Sequence, residues 1–484
     1  MNRISGFESA YNAQKIVILF KKKRETRFHV VYNISINNKT QDERGFTMAI
    51  ISQQTIFVWA DIAELGDLER LKLVLENMED EELMRVLESE RGKGRDDYPV
   101  RAVWNSILAG VVFEHVSIES LRRELSRNGQ LRNICGLYGW GDKAVPPHWV
   151  YTRFLKKIFK HEKEVERIFE RLVAELRNLL PDFGKDLAID SKAIHSLSKK
   201  ENKCSKEDGR RDKDANWGRK EYRGIKEDGK AWQKVVQWFG YKLHLIVDSN
   251  YELPVAYSLT RASVSDISEA HKMIDELGEE RAEILERCET LEGDRGYDDS
   301  KFIKKLWDDY KIKPVIDIRN VWKDTDATRQ LGCYQNVVYN HRGNVYCYCL
   351  ESGERREMAP GGFEESRQSL KKLCPARQYG IECKCMDICE ARKGIRIKLD
   401  VDRRIFTPID RASYKWDRYY DKRTAVERVN SRLDESFGFE RHYIRGKRKM
   451  SIRCGIALCV MLAMAVGRIK EKRQDLMRSL VKTA

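Results

Sequence analysis

Between residues 185 and 320 short apolar runs alternate with stretches of helical spacing, and that alternation restricts the chain to an α/β core. Leu187-Ala-Ile189 reads as a buried strand ending on Asp190. Gly240-Tyr-Lys-Leu-His-Leu-Ile-Val247 and Leu253-Pro-Val-Ala-Tyr-Ser-Leu-Thr260 flank the turn residues Asp248-Ser-Asn250, a hairpin signal. A helix follows over 266–277. The acid-bearing run Leu291-Glu-Gly-Asp294 comes next, then a helix over 299–308 and a strand at Pro314-Val-Ile316. Residues 197–234 are charged, contain glycine and have little apolar content, so they read as a mobile loop.

The flanks have a different character. Residues 1–47 are polar and aperiodic and read as a non-essential leader, with a fresh start at Met48. Residues 48–180 read as a helical N-terminal module: Val100, Val103, Trp104, Ile107 and Leu108 recur at helical spacing, as do Leu121, Leu125 and Leu131. Its Arg122, Arg123 and Arg127 suit either DNA contact or a plain solvated face. The first part of the core covers 181–319, a Cys-rich stretch 320–402, and the last part of the core 403–484, where 413–438 and 450–472 read as long helices. The apolar run 454–467 is too short for a bilayer and reads as a buried helix.

Charge narrows the partner. The formal net charge is +15, and residues 391–484 alone carry 25 Lys plus Arg against 11 Asp plus Glu. A basic region of this kind attracts polyanions through phosphate contacts and counterion release. The sequence offers no signal-peptide pattern, so its 12 cysteines read as reduced thiols or metal ligands of a cytoplasmic, nucleoid-associated protein.

In Tyr420-Asp-Lys-Arg423-Thr-Ala-Val-Glu427-Arg-Val-Asn-Ser-Arg-Leu433, helical spacing places Tyr420, Arg423 and Glu427 on one face. Val426, Val429 and Leu433 would anchor the helix to the core. One acid among basic and hydroxyl groups suits phosphate handling, although a surface Arg423–Glu427 ion pair explains the same pattern. Asp190 ends an apolar strand, where a charge is costly without a cation or hydrogen-bond donors. Asp294 precedes Arg295-Gly296-Tyr297, where Gly296 permits a tight strand-to-helix turn. Taken singly, each acid could be a cap or turn residue.

The order strand-Asp190, hairpin, Asp294-Arg-Gly-Tyr297, insertion, Tyr420-x2-Arg423-x3-Glu427 resembles the insertion-sequence transposases of the DDE class, the group called transposase family eleven. Phe239-Gly-Tyr-Lys-Leu-His244, Glu252-Leu-Pro254 and Ala262-Ser-Val-Ser-Asp266 look like that family's second and third strands, and the resemblance runs over roughly residues 50–470. It implies a ribonuclease-H-like catalytic core with Asp190, Asp294 and Glu427 as catalytic residues holding two Mg²⁺ (or Mn²⁺) ions. It also implies cleavage of element ends and their joining to target DNA, by a homodimer on DNA. Tyr420 and Arg423 would contact the DNA backbone. The family pattern continues with Lys where this chain has Asp434, so Arg428 or Arg432 would have to supply that phosphate contact. A catalytically inactive DNA-binding relative, a nuclease that cuts without joining, and an RNA-binding protein are the competing readings. The last explains the charge but not the three ordered acids.

The Cys-rich insertion is expected to be largely β. Cys347, Cys349, Cys374, Cys383, Cys385 and Cys389 are candidate ligands of a structural Zn²⁺, with Cys333 or His341 in reserve. Cys-x-Cys is not the usual zinc pairing, and alternating strands bury small Cys side chains by packing alone, so spacing favours packing over zinc. His195 and His244 read as packing or hydrogen-bonding residues rather than ligands.

Overall fold

The structure, a computed structural model, describes residues 66–92, 97–139, 141–198, 212–225, 231–322, 327–332 and 334–480. The leader expected over 1–47 and the reserve ligand Cys333 lie outside the described residues.

The chain begins with seven helices in sequence among the described residues: α1 (Leu68–Asn77), α2 (Glu81–Arg91), α3 (Val100–Val112), α4 (Ile118–Arg127), α5 (Gly129–Cys135), α6 (His148–Ile158) and α7 (Glu162–Leu179). Local chemistry sets several of their ends. The Ser117 side chain accepts from the N–H of Ser120 to cap α4, and Asn128 accepts from Leu131 to cap α5. The run of apolar residues read as one repeat through Leu121, Leu125 and Leu131 is thereby cut into two helices. Asp80, fully buried ahead of α2, accepts from Arg101 and from Trp104 Nε1, which ties α2 to α3.

The α/β part follows as β1 (Asp186–His195), β2 (Asn216–Ile225), β3 (Ala231–Asp248), β4 (Leu253–Arg261), α8 (Asp266–Glu280), α9 (Ala282–Arg287), β5 (Thr290–Gly293), α10 (Ser300–Tyr310) and β6 (Lys313–Ile316). The last half of β3 pairs antiparallel with both β1 and β4, while β5 and β6 run parallel to β1, giving the order β4-β3-β1-β5-β6. The first half of β3 runs on beyond this sheet and pairs with β2 as a two-stranded ribbon. The mobile loop expected over 197–234 is corrected there: residues 216–225 and 231–234 are strand. Residues Trp232 to Gln237 are all exposed, so this segment of the ribbon has no buried face and leaves no hydrophobic alternation in the sequence.

The insertion is β-rich, as expected. Strands β7 (Thr328–Gln330), β8 (Val337–Asn340), β9 (Val345–Tyr348) and β10 (Arg355–Glu357) form one small antiparallel sheet. Strands β11 (Ala359–Glu364), β12 (Ser369–Leu373) and, after α11 (Pro375–Tyr379), β13 (Ile395–Lys398) form another. They share a hydrophobic cluster of their own that includes Val337, Val345, Ile395 and Phe406.

Three helices close the chain: α12 (Tyr414–Lys422), α13 (Thr424–Phe437) and α14 (Lys447–Lys470). The single helix expected over 413–438 is two, joined at Arg423, whose helical φ −50° and ψ −31° keep them nearly continuous. Helix α14 is apolar all round and packs against α1, α3, α7 and β4. By length and composition it could cross a membrane, but 89% of its apolar window is buried inside the protein, which makes it the core helix read from 454–467. One cluster of buried side chains runs from α1 through the sheet to α14, so the N-terminal helices and the α/β part share a core.

Where β3 turns from ribbon to sheet, Gly240 lies against the end of β1. A Cβ there would fall 2.1 Å from Ile194 O and 2.7 Å from the Ser196 nitrogen, both backbone atoms that cannot move aside. Gly240→Ala should therefore lower unfolding stability by about 1–3 kcal/mol, the usual range for overpacking. Urea titration of both proteins measures this, and an unchanged midpoint would contradict it.

Candidate active site

Parallel pairing sets the first two acids side by side. Ile189 of β1 is in register with Gly293 of β5, so Asp190 and Asp294 occupy the next position along on neighbouring strands. Asp190 lies within β1 rather than at its end, since the strand continues to His195. Asp294 leaves β5 into a short 3-10 turn, Arg295–Tyr297, and accepts the Gly296 N–H at 2.7 Å. A side chain at Gly296 would crowd that carboxylate, its Cβ lying 2.7 Å from Asp294 Oδ1. Beneath the turn Tyr297 is buried and Arg295 bonds Asp317 at 2.5 Å, which fixes the exit from the strand.

Glu427 sits in the first turn of α13, whose buried Ala425, Val426, Val429 and Leu433 lay the helix across β1 and β3. The face expected from helical spacing is present. Trp416 and Tyr420 stack with ring centroids 4.7 Å apart and planes 11° apart. The Arg423 guanidinium lies 5.6 Å from the Tyr420 ring centre and donates to Glu427 Oε1 at 2.7 Å. Glu427 itself is about half exposed, at 53%. The Arg423–Glu427 ion pair anticipated as the plain alternative is thus real.

The electrostatics join the three acids. Burial pushes the Asp190 carboxyl up to about 6; the Lys220 ammonium opposes this, the Asp294 charge adds to it, and Arg423 also opposes it. Arg423 in turn feels Glu427 and Asp190. Arg423 therefore links the helix acid to the strand acids. Among the described residues the oxygens of the three acids do not all come within 4.8 Å of one another, and Glu427 is bonded to Arg423.

The donor set fits a hard divalent cation. Asp190 is a carboxylate in a desolvated place beside a second acid, and oxygen ligands are those Mg²⁺ prefers. Asp190 and Asp294 would supply the strand ligands and Glu427 the helix ligand.

Other expected residues are engaged elsewhere. Arg428 Nε donates to Glu252 at 2.8 Å, and Arg432 donates to the Glu252 carbonyl at 2.7 Å and carboxylate at 3.2 Å. Both are counter-ions of Glu252, so a phosphate would have to compete for them. Asp434, in place of the Lys of the family pattern, pairs with Lys192 of β1. His244 is buried, bonds Thr260 Oγ1 at 2.8 Å and has a pKa pushed down to about 4 by burial, in keeping with a hydrogen-bonding role. His195 is exposed at the end of β1.

Two residues escaped the sequence reading. Lys220 of β2, half-buried, donates to Ser191 O at 3.0 Å and sends its charge onto Asp190. Nothing in the polar stretch 197–234 marks it as a neighbour of β1. Lys422, beside Arg423, bonds Asp186 at 2.6 Å and fastens the α12–α13 junction to the start of β1.

The model of the transposase DDE domain family matches residues 182–463, more than half of the chain. The chain belongs to that family and is a transposase of the DDE class, a protein that acts on DNA. No curated protein matches it.

The raised Asp190 pKa has a measurable consequence when divalent cations are chelated. The unfolded chain releases this proton near pH 4 and the folded protein holds it to about 6, so stability falls as pH rises through that window and stays lowered above it. Asp190→Asn removes the effect. The variant should match the wild type near pH 4 and exceed it by about 1–3 kcal/mol at pH 7.5 in urea denaturation. A variant no more stable at the higher pH would show that Asp190 is not under charge stress.

Proposed function

We propose that the chain is an insertion-sequence transposase that nicks the terminal inverted repeats of its element and joins the freed 3′-hydroxyl ends to target DNA. The observation that carries this is the placement of Asp190 and Asp294 at the same register step of neighbouring parallel strands, with the Glu427 helix packed on β1 beside them. The strand order β4-β3-β1-β5-β6, antiparallel on one side of β1 and parallel on the other, supports a ribonuclease-H-like core. The Tyr420-x2-Arg423-x3-Glu427 face supports assignment to transposase family eleven.

Two Mg²⁺ ions held by Asp190, Asp294 and Glu427 would activate the attacking oxygen and stabilise the leaving one. The residues of the chain prepare the rest. Asp190 must be ionised to act as a ligand, which its pKa of about 6 allows at neutral pH. Arg423 and Lys220 bracket the acids with positive charge and would hold the phosphates on either side of the scissile bond. Arg423, bonded to Glu427 Oε1 at 2.7 Å, would free that acid to hold a cation by turning to phosphate.

In the nicking step water attacks phosphorus, the 3′ oxygen leaves and takes up a proton, and a 3′-hydroxyl and a 5′-phosphate result. In the joining step that hydroxyl attacks a target phosphodiester. One P–O bond forms as another breaks, so no outside energy source is needed. The ribbon of β2 and β3 extends the DNA surface, carrying exposed Arg219 and Lys234 with exposed Trp217 and Trp232. Bringing two element ends together calls for two copies, a homodimer on DNA.

The test is Mg²⁺-dependent nicking of element-end DNA and strand transfer of a pre-cut end. Asp190→Ala, Asp294→Ala and Glu427→Ala should each lower nicking by at least about 10²-fold, the loss expected for one electrostatic catalytic group, while DNA binding persists. Arg423→Ala should weaken both binding and nicking. Wild-type binding without nicking would establish instead a catalytically inactive DNA-binding relative. Nicking without joining would establish a nuclease.

A further inference from the structure

We propose that the insertion holds a tetrahedral Zn²⁺ ion through Cys349, Cys383 and Cys385, completed by a fourth thiolate from Cys347, Cys374 or Cys389. This site is independent of the catalytic acids and of the reaction assigned to them.

Convergence carries the inference. Cys347 lies on β9 and Cys349 just beyond it, Cys374 precedes α11, and Cys383, Cys385 and Cys389 lie in the segment between α11 and β13. These separate segments fold so that all six cysteines line one cavity. The sulfurs of Cys349, Cys383 and Cys385 lie within 4.8 Å of one another, and those of Cys383 and Cys385 are 3.5 Å apart. A tetrahedral zinc with bonds of about 2.3 Å sets its sulfurs about 3.8 Å apart, so little movement is required. All six are free thiols, so disulfide pairing does not account for the gathering.

A polar donor reaches these sulfurs. Asn336 Nδ2 donates to Cys389 Sγ at 3.4 Å. Donors of this kind orient metal-ligating sulfur and offset its charge. Arg356 and Arg392 line the same cavity, with Arg356 paired to Glu354, which lines it too. Cys383 and Cys385 keep the Cys-x-Cys spacing that argued against zinc, but Cys349 joins them from a separate segment. A metal crosslink is a common staple for small modules of this kind.

Metal content decides the matter, with no reliance on DNA cleavage. Full-length protein purified without added zinc should contain one zinc per chain by plasma mass spectrometry. Replacing it with cobalt should produce thiolate-to-cobalt charge-transfer absorption and the strong visible bands of a tetrahedral sulfur site. Cys383→Ser with Cys385→Ser should lose the metal, while Cys135→Ser, in the main core, should keep it. Because the double variant could fail to fold, wild-type protein is also titrated with an organomercurial, which should release the zinc as thiols react. Metal-free wild type with freely titrating cysteines would overturn the proposal, as would iron with acid-labile sulfide.

Discussion

The repulsion between two carboxylates on adjacent parallel strands, one of them desolvated, is the constraint on which the rest of the site depends. Asp190 and Asp294 take corresponding positions beyond the pairing of β1 and β5, and burial raises the Asp190 carboxyl to about 6. Such a pair is tolerated only if positive charge approaches it. The protein brings that charge from elements distant in sequence: Lys220 from the β2–β3 ribbon and Arg423 from the α12–α13 junction. Both cations are also what a DNA phosphate would seek. On the proposed function, the same electrostatics that makes the acids bearable would prepare them for a metal ion and a polyanion together.

The helix carrying Glu427 is balanced between two sets of partners. On one side Val426, Val429 and Leu433 are fully buried against the sheet, and Asp434 answers Lys192 of β1. On the other, Arg428 and Arg432 meet Glu252, which Arg478 also reaches at 3.0 Å. An acid at position 434 therefore has a structural reason in this chain: it is the counter-charge of Lys192. The junction at Arg423 is pinned by Lys422 on Asp186, so the helix acid is set relative to β1 by contacts a few residues away from each acid.

Elements with a buried face were legible in the sequence. The hairpin around Asp248-Ser-Asn250, the strand bearing Asp294, the helix after it and the apolar helix over 454–467 all carry a periodic apolar signal, and the structure holds them as β3–β4, β5, α10 and α14. The ribbon was not legible because Trp232 to Gln237 are exposed on both faces, and a segment with no buried face shows no hydrophobic period. Lys220 was lost with it. The order of the acids suggested a shared site, but the parallel register that makes Asp190 and Asp294 neighbours is a long-range pairing that no local pattern encodes. The gathering of the cysteines was hidden for a similar reason: the fold collects them from separate stretches of chain around one cavity.

The central claim is that these acids jointly bind divalent cations. The most direct test is anomalous diffraction from Mn²⁺ in crystals of the protein with element-end DNA. The account predicts manganese within coordination distance, roughly 2.2 Å, of Asp190 and Asp294 oxygens, with Glu427 released from Arg423 and facing the metal. Manganese bound elsewhere, with Glu427 still paired to Arg423 beside cleavable DNA, would contradict it.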